Sequence, residues 1–191
     1  MPPALETIRR LDWRFLLPDP NLGRVVYAGP ANHALLLALK DFCETHVVTE
    51  LRGNGRSTLF DVAVVCSATH TQVEQVLPWL KPGGVLYWEV PRGRRQAGGL
   101  RKHPYRDAED FLLRHGFREI ACYWHRPNFE RALEIVALND PTALDYYFSR
   151  TRSDFSGRLK IRFGRLLART GLLPYVLSSV SLVARRKEAP A

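Results

Sequence analysis

The chain has 191 residues, 46% of them apolar and 25% charged, and a formal net charge of +9 at pH 7. Those proportions suit one globular unit with its own core and exclude collagen-like, low-complexity and wholly disordered chains. No run of about 18 apolar residues occurs, so no membrane-spanning helix is predicted.

Residues 5–11 read as a short helix, closed by Pro18-Asp19-Pro20-Asn21. Val25-Val26-Tyr27-Ala28 is a short apolar run and reads as a buried strand, broken by Gly29-Pro30. Asn32 suits a helix N-cap ahead of a helix over 34–42. Val47-Val48-Thr49 reads as a second strand ending at Glu50, and Gly53-Asn54-Gly55 as a turn. Residues 60–66 are nearly all apolar, as befits a central parallel strand buried on both faces. Val73, Val76, Leu77 and Leu80 then recur at helical spacing over 71–80. Lys81-Pro82-Gly83-Gly84 reads as a helix stop and turn before a strand over 85–90. Beyond a basic, glycine-rich stretch, a helix is predicted over 107–115 with Gly116 as its C-cap. Strands at 117–124 and 133–138, helices at 141–150 and 157–170, and a last strand at 175–184 complete the reading.

Strands alternating with helices imply an α/β fold: a Rossmann-like, mostly parallel sheet with helices on both faces. Such sheets bind ligands beyond the carboxyl ends of their strands. The exit of the first strand, Tyr27-Ala28-Gly29-Pro30, and Ser67 after the central strand therefore lead the list of candidate binding residues.

Three stretches resemble the class I S-adenosylmethionine-dependent methyltransferases. Gly23 to Pro30 is similar to the family's first strand and cofactor loop. Phe60-Asp61-Val62 followed by Leu80-Lys81-Pro82-Gly83-Gly84-Val85-Leu86 resembles its "FDvv … LLkPGGxL" pattern. Arg114-His115-Gly116-Phe117 and Ser181-Leu182-Val183-Ala184-Arg185-Arg186 resemble its C-terminal half. The resemblance implies S-adenosylmethionine as cofactor, an antiparallel last strand, and a ribose-binding role for Glu50, 21 residues after Gly29. A carboxylate there accepts two hydrogen bonds from the ribose hydroxyls. Two departures stand out. The G-x-G-x-G loop reads Gly29, Ala31, His33, and only nine residues, 51–59, separate the second strand from the central one. Nine residues reach about 30 Å at most, so one edge-strand unit of the sheet should be missing. The exposed edge left behind would suit a homodimer or a partner protein. The expected layout is a single domain over 1–191, with a core sheet in 22–125, a helical cover in 139–171 and the last strand in 172–187.

Methyl transfer needs alignment and, for some acceptors, a base. His70, after the central strand, is the candidate base, or alternatively an exposed neighbour of a helix cap. His103, Tyr105, Trp124 and His125 combine aromatic bodies with polar handles and are the candidate substrate residues; Trp124 also suits a core edge. Cys43, Cys66 and Cys122 show no zinc-type spacing, and Cys66 reads as a buried small hydrophobe. No metal is expected.

Residues 150–187 carry ten basic side chains against Asp154 alone, and Arg92 to Arg106 adds six with no acid. Arg158, Arg162, Arg165 and Arg169 form one helical stripe beside Leu159, Phe163, Leu166 and Leu167. Such a helix lies on an anionic surface, covers a site, or packs on the sheet with its arginines in water. Three functions follow. One is a methyltransferase acting on an oxygen or nitrogen of a small molecule or sugar-containing metabolite. Another is a cofactor-free methyltransferase relic serving as partner or scaffold. The third is a binder of anionic lipid or nucleic acid. No secretory leader is read in Met1-Pro2-Pro3-Ala4, and a reducing cytoplasm, with peripheral membrane attachment as a variant, is the expected compartment.

Overall fold

A computed structural model describes residues 5–30, 33–43, 59–90, 104–150 and 155–188. A first short helix, α1 (Leu5–Arg9), runs into a 3-10 turn (Asp12–Leu16) and strand β1 (Val25–Ala28). Then come α2 (His33–Lys40), β2 (Phe60–Cys66), α3 (His70–Val76), β3 (Leu80–Glu89), α4 (Pro104–Arg114) and β4 (Phe117–Arg126). The chain closes with β5 (Glu134–Ala137), α5 (Pro141–Arg150), α6 (Phe155–Arg169), α7 (Leu173–Val176) and β6 (Val180–Arg186). The strands called Val47-Val48-Thr49, together with Asn32 and Glu50, lie outside the described residues.

The six strands form one sheet in the order β1-β2-β3-β6-β4-β5. β1, β2 and β3 are mutually parallel, whereas β6 lies antiparallel between β3 and β4. The Rossmann-like arrangement with a reversed C-terminal strand is thus realised. Alternate residues point to opposite faces of each strand. Val26, Ala63, Leu86 and Trp88 pack under α3 and α4 through Val73, Val76, Phe111 and Leu112. On the other face Tyr27, Val64 and Tyr87 meet Leu35 and Leu39 of α2, and Leu11, Trp13 and Leu22 of the N-terminal segment. A smaller cluster, Val136, Leu144, Phe148 and Leu173, joins β5 to the helices beyond it.

Local chemistry explains several boundaries. Thr69 caps α3: its backbone N–H donates to Gln72 Oε1 at 2.9 Å and its hydroxyl does so at 3.2 Å. Lys81-Pro82-Gly83-Gly84, read as a turn, is instead a bulge within β3. Phe60 faces Leu80 and Val62 faces Val85, so four residues of β3 stand opposite Asp61 alone. The run read as a strand from 175 begins as helix α7, with Pro174 in its first turn, and becomes strand only at Val180.

The motifs behind the family resemblance mostly sit at the amino ends of the strands. Asp61 accepts the Arg24 N–H at 2.7 Å and pairs with Lys81 Nζ. Burial pushes the Asp61 carboxyl up, but the Lys81 ammonium and the Arg24 N–H outweigh it and hold the group below its ordinary value. Arg185 donates to the Gly83 carbonyl at 3.3 Å, and Arg186 to the carbonyls of Leu77 and Leu80. These residues fasten β1, β2, β3 and β6 together at the amino ends of the parallel strands.

Candidate functional site

At the carboxyl end of the parallel strands, β1 and β2 leave the sheet side by side. A Cβ on Gly29 would stand 2.8 Å from the Cys66 carbonyl oxygen, so a side chain there would force the two exits apart. The Tyr27 hydroxyl donates to the Pro30 carbonyl at 2.8 Å and pins the turn after Ala28. Ser67 has φ 51°, a left-handed conformation costing a non-glycine residue about 1–2 kcal/mol. It is exposed, while Trp88 Nε1 fixes the next residue by donating to the Ala68 carbonyl at 3.1 Å. Backbone strain held by its surroundings is a recurrent mark of functional sites.

Next to this corner, on the face covered by the N-terminal segment, polar side chains cross the sheet in one layer. Cys66 on β2 is paired in register with Glu89 on β3, and Glu89 with Ser181 on β6. His125 on β4 completes the row, with Nε2 2.8 Å from Ser181 Oγ in a shared hydrogen bond. The Tyr87 hydroxyl donates to Glu89 Oε1 at 3.2 Å, and the Trp13 ring stacks on Tyr87 with centroids 4.0 Å apart.

Arg10 closes the layer from above. Its Nη2 donates to Glu89 Oε2 at 3.2 Å and its Nη1 lies 3.1 Å from Glu89 Oε1. The two residues are 8% and 2% exposed, so the pair is out of water. Arg10 Nε also faces Glu130 Oε2 at 3.5 Å, so Nε and Nη1 both lie within ion-pair distance of a carboxylate, though neither makes a well-angled hydrogen bond among the described residues.

Burial pushes the Glu89 carboxyl up, against the pull of the Arg10 guanidinium. Burial, then the Glu89 charge, pushes the Tyr87 hydroxyl and the Cys66 thiol well above their ordinary values. Burial, then the Arg10 charge, drives His125 down to about 3. At neutral pH the layer therefore holds neutral imidazole, thiol and phenol groups around an Arg–Glu pair. It can orient a charged ligand; it supplies neither a thiolate nucleophile nor an imidazolium acid.

The remaining sequence candidates are distributed differently. His70, the first residue of α3, lies on the opposite face, edge-on to Trp88 and Phe111 at 5.2 and 5.1 Å. It opens on a cavity of about 540 Å³ shared with Asp107, Asp110 and Arg114 of α4. Tyr105 is half-buried on that face, where burial, Cys122 and Glu109 push its hydroxyl up. Trp124 and His125 point to opposite sides of β4. Trp124 packs edge-on to Tyr147 at 5.4 Å, and the Arg126 guanidinium lies 5.0 Å from its ring and 4.8 Å from that of Tyr147. Glu50 and His103 lie outside the described residues.

Arg126 also lines a groove of about 630 Å³ between β5 and α5, with Tyr123, Tyr146, Tyr147, Arg150 and Leu16. Aromatic walls with a few charged groups are typical of small-molecule sites. Sequence reasoning missed Arg10, Glu89 and Ser181. One signal was present: Glu89 is the only charged residue in the apolar run from Val85 to Val90.

No protein-family model matches the chain, and no curated protein matches it. Among solved structures, it is similar to a Haemonchus contortus phosphoethanolamine N-methyltransferase 2 in complex with S-adenosylhomocysteine. That match has 14% identity and a TM-score of 0.43, over 97% of this chain and 53% of the other. A Thermotoga maritima S-adenosylmethionine-dependent methyltransferase is 13% identical over 96% of this chain and 88% of its own, with a TM-score of 0.44. A Geobacter sulfurreducens methyltransferase with bound S-adenosylhomocysteine is 11% identical over 95% and 90%, with a TM-score of 0.40. The chain spans about half the length of the Haemonchus enzyme.

Proposed function

We propose that this chain is a methyltransferase-like protein that binds S-adenosylmethionine at the carboxyl ends of β1–β3. In this reading it transfers the donor's methyl group to an oxygen or nitrogen of a small molecule, sugar-containing metabolites included. The observation that carries the reading is the buried Arg10–Glu89 pair beside the Gly29–Ser67 corner. The donor has a carboxylate, an ammonium and a sulfonium. Arg10 and Glu89 pair with each other, with Glu130 beside Arg10 Nε; opening that pair would offer a guanidinium to the carboxylate and a carboxylate to a cationic group. The resemblance in sequence adds Glu50 for the ribose hydroxyls. When bound, the sulfonium supplies an electrophilic methyl group.

The chain's own part is positioning. Gly29 keeps the two strand exits close, Tyr27 holds the turn, and Trp13 and Arg10 exclude water from the layer. The groove lined by Tyr123, Tyr147, Arg126 and Arg150 suits an aromatic or amphiphilic acceptor. His70, on the other face, stays outside this reading.

Titration calorimetry with S-adenosylmethionine and S-adenosylhomocysteine tests it. Binding tighter than about a millimolar is expected, with Arg10→Met weakening it at least about tenfold through the lost charge-assisted bonds. Absence of heat with both nucleosides overturns the proposal. That outcome favours a second reading, a cofactor-free relic serving as partner or scaffold. The same layer supports it: Arg10 already satisfies Glu89, and Trp13 already covers Tyr87. A partner protein or second copy would then pair with an outer strand, since among the described residues β5 pairs with β4 alone and β1 with β2 alone.

A further inference from the structure

Helix α6 turns an unexpected face to solvent. Its inner side carries Gly164, whose ideal Cβ would stand 2.7 Å from the Phe148 ring of α5, with Ile161, Leu167 and Ala168 packed nearby. Its outer side carries Leu159, Phe163 and Leu166, which are 66%, 57% and 57% exposed. These three lie at i, i+4 and i+7 and form one apolar row. Arg158, Arg162 and Arg169 are exposed along one flank of that row, while Arg165, on the inner edge of the arginine stripe, is half-buried. The 15 residues of the helix include Arg158, Lys160, Arg162, Arg165 and Arg169 and no acid. Just beyond it, Leu172 and Val176 are also exposed.

No helix among the described residues is long and apolar enough to cross a membrane. A helix with a large apolar side chain every turn and cations along its flank instead suits the plane of a bilayer interface. We infer that the outer face of α6 docks on an anionic membrane surface. Leu159, Phe163 and Leu166 enter the acyl boundary, and Arg158, Arg162 and Arg169 meet the headgroup phosphates. Charge complementarity selects the occupant: α6 has five basic residues and no acid, so an anionic leaflet attracts it and a neutral one does not. The apolar row selects lipid over nucleic acid, whose backbone is bound by cations and polar groups. The inference is independent of the reaction proposed above.

The test is co-sedimentation of the full chain with vesicles of phosphatidylcholine alone and of phosphatidylcholine with an equal amount of phosphatidylglycerol. Binding is expected to the mixed vesicles only. It should weaken about fivefold for each arginine removed in Arg158→Gln, Arg162→Gln and Arg169→Gln. It should be lost in the combined Leu159→Ser, Phe163→Ser and Leu166→Ser variant, whose fold is checked by circular dichroism and which keeps every charge. Equal binding by that serine variant and the parent overturns the inference, as does failure of the parent to bind mixed vesicles. Two further outcomes overturn it: duplex DNA binding that survives the serine changes while vesicle binding is absent, or a dimer in sedimentation velocity that the serine changes dissolve. The first names nucleic acid as the occupant, the second another copy of this chain.

Discussion

His125 is 1% exposed, shares a hydrogen bond with Ser181, and lies within the field of Arg10. Burial and that charge hold its pKa near 3, against an ordinary 6.5. An unfolded chain therefore takes up a proton at pH 6.5 that the folded chain refuses until about pH 3. His125 contributes stability in full above pH 6.5 and loses it as the pH falls from there toward 3. The slope is at most about 1.4 kcal/mol per pH unit. Urea unfolding over that range should follow the decline, and His125→Gln should flatten it. Parallel curves for parent and variant would mean that water reaches the imidazole.

At the scale of elements, one junction holds four strands. Asp61 reaches Arg24 before β1 and Lys81 in the bulge of β3, while Arg185 and Arg186 of β6 bind carbonyls around the same bulge. Gly23 makes the approach possible: its φ is 59°, and a Cβ would stand 2.7 Å from Asp61 Oδ2. Gly23→Ala should therefore cost more than the about 1–2 kcal/mol of left-handed strain alone. Gly116 is the control. Its φ is 78°, but a Cβ there meets nothing within 4 Å, so Gly116→Ala should cost the strain only. Equal losses in urea unfolding would show that the Asp61 contact is immaterial. The "FD … LKPGG" likeness is thus largely a fastening of the sheet, and it says little about what the opposite end binds.

At the scale of the molecule, the N-terminal segment is tied across the sheet by Arg10 and Glu89, 79 residues apart. Removing one member of a buried pair strands the other charge, at a cost of about 3–5 kcal/mol. Arg10→Met and Glu89→Leu should each destabilise by that order, and the double variant by distinctly less than their sum. Additive losses in a double-mutant cycle would mean that the two charges do not interact. The N-terminal segment covers this layer, so its loss should also expose Tyr87 and Cys66 to solvent.

Local pattern determined β2, the core of α3 and the extent of α5, and resemblance the reversed final strand. For the first three the signal lies within a few residues: an apolar run or a helical spacing. It failed where a short apolar stretch suits either element, as at α7, and where tertiary contacts reshape a turn, as at Lys81 to Gly84. Which face a side chain joins was beyond it. Trp124 and His125 are neighbours in sequence and part across β4, because strand geometry alternates them. The leucine row of α6 has the spacing of a buried stripe, yet Gly164 allows α5 to pack on the opposite side and leaves that row in water. The Arg10–Glu89 and His125–Ser181 pairs needed the tertiary structure, because no local energy term joins residues 79 and 56 positions apart; only the closing of the sheet and its N-terminal cover brings them into contact.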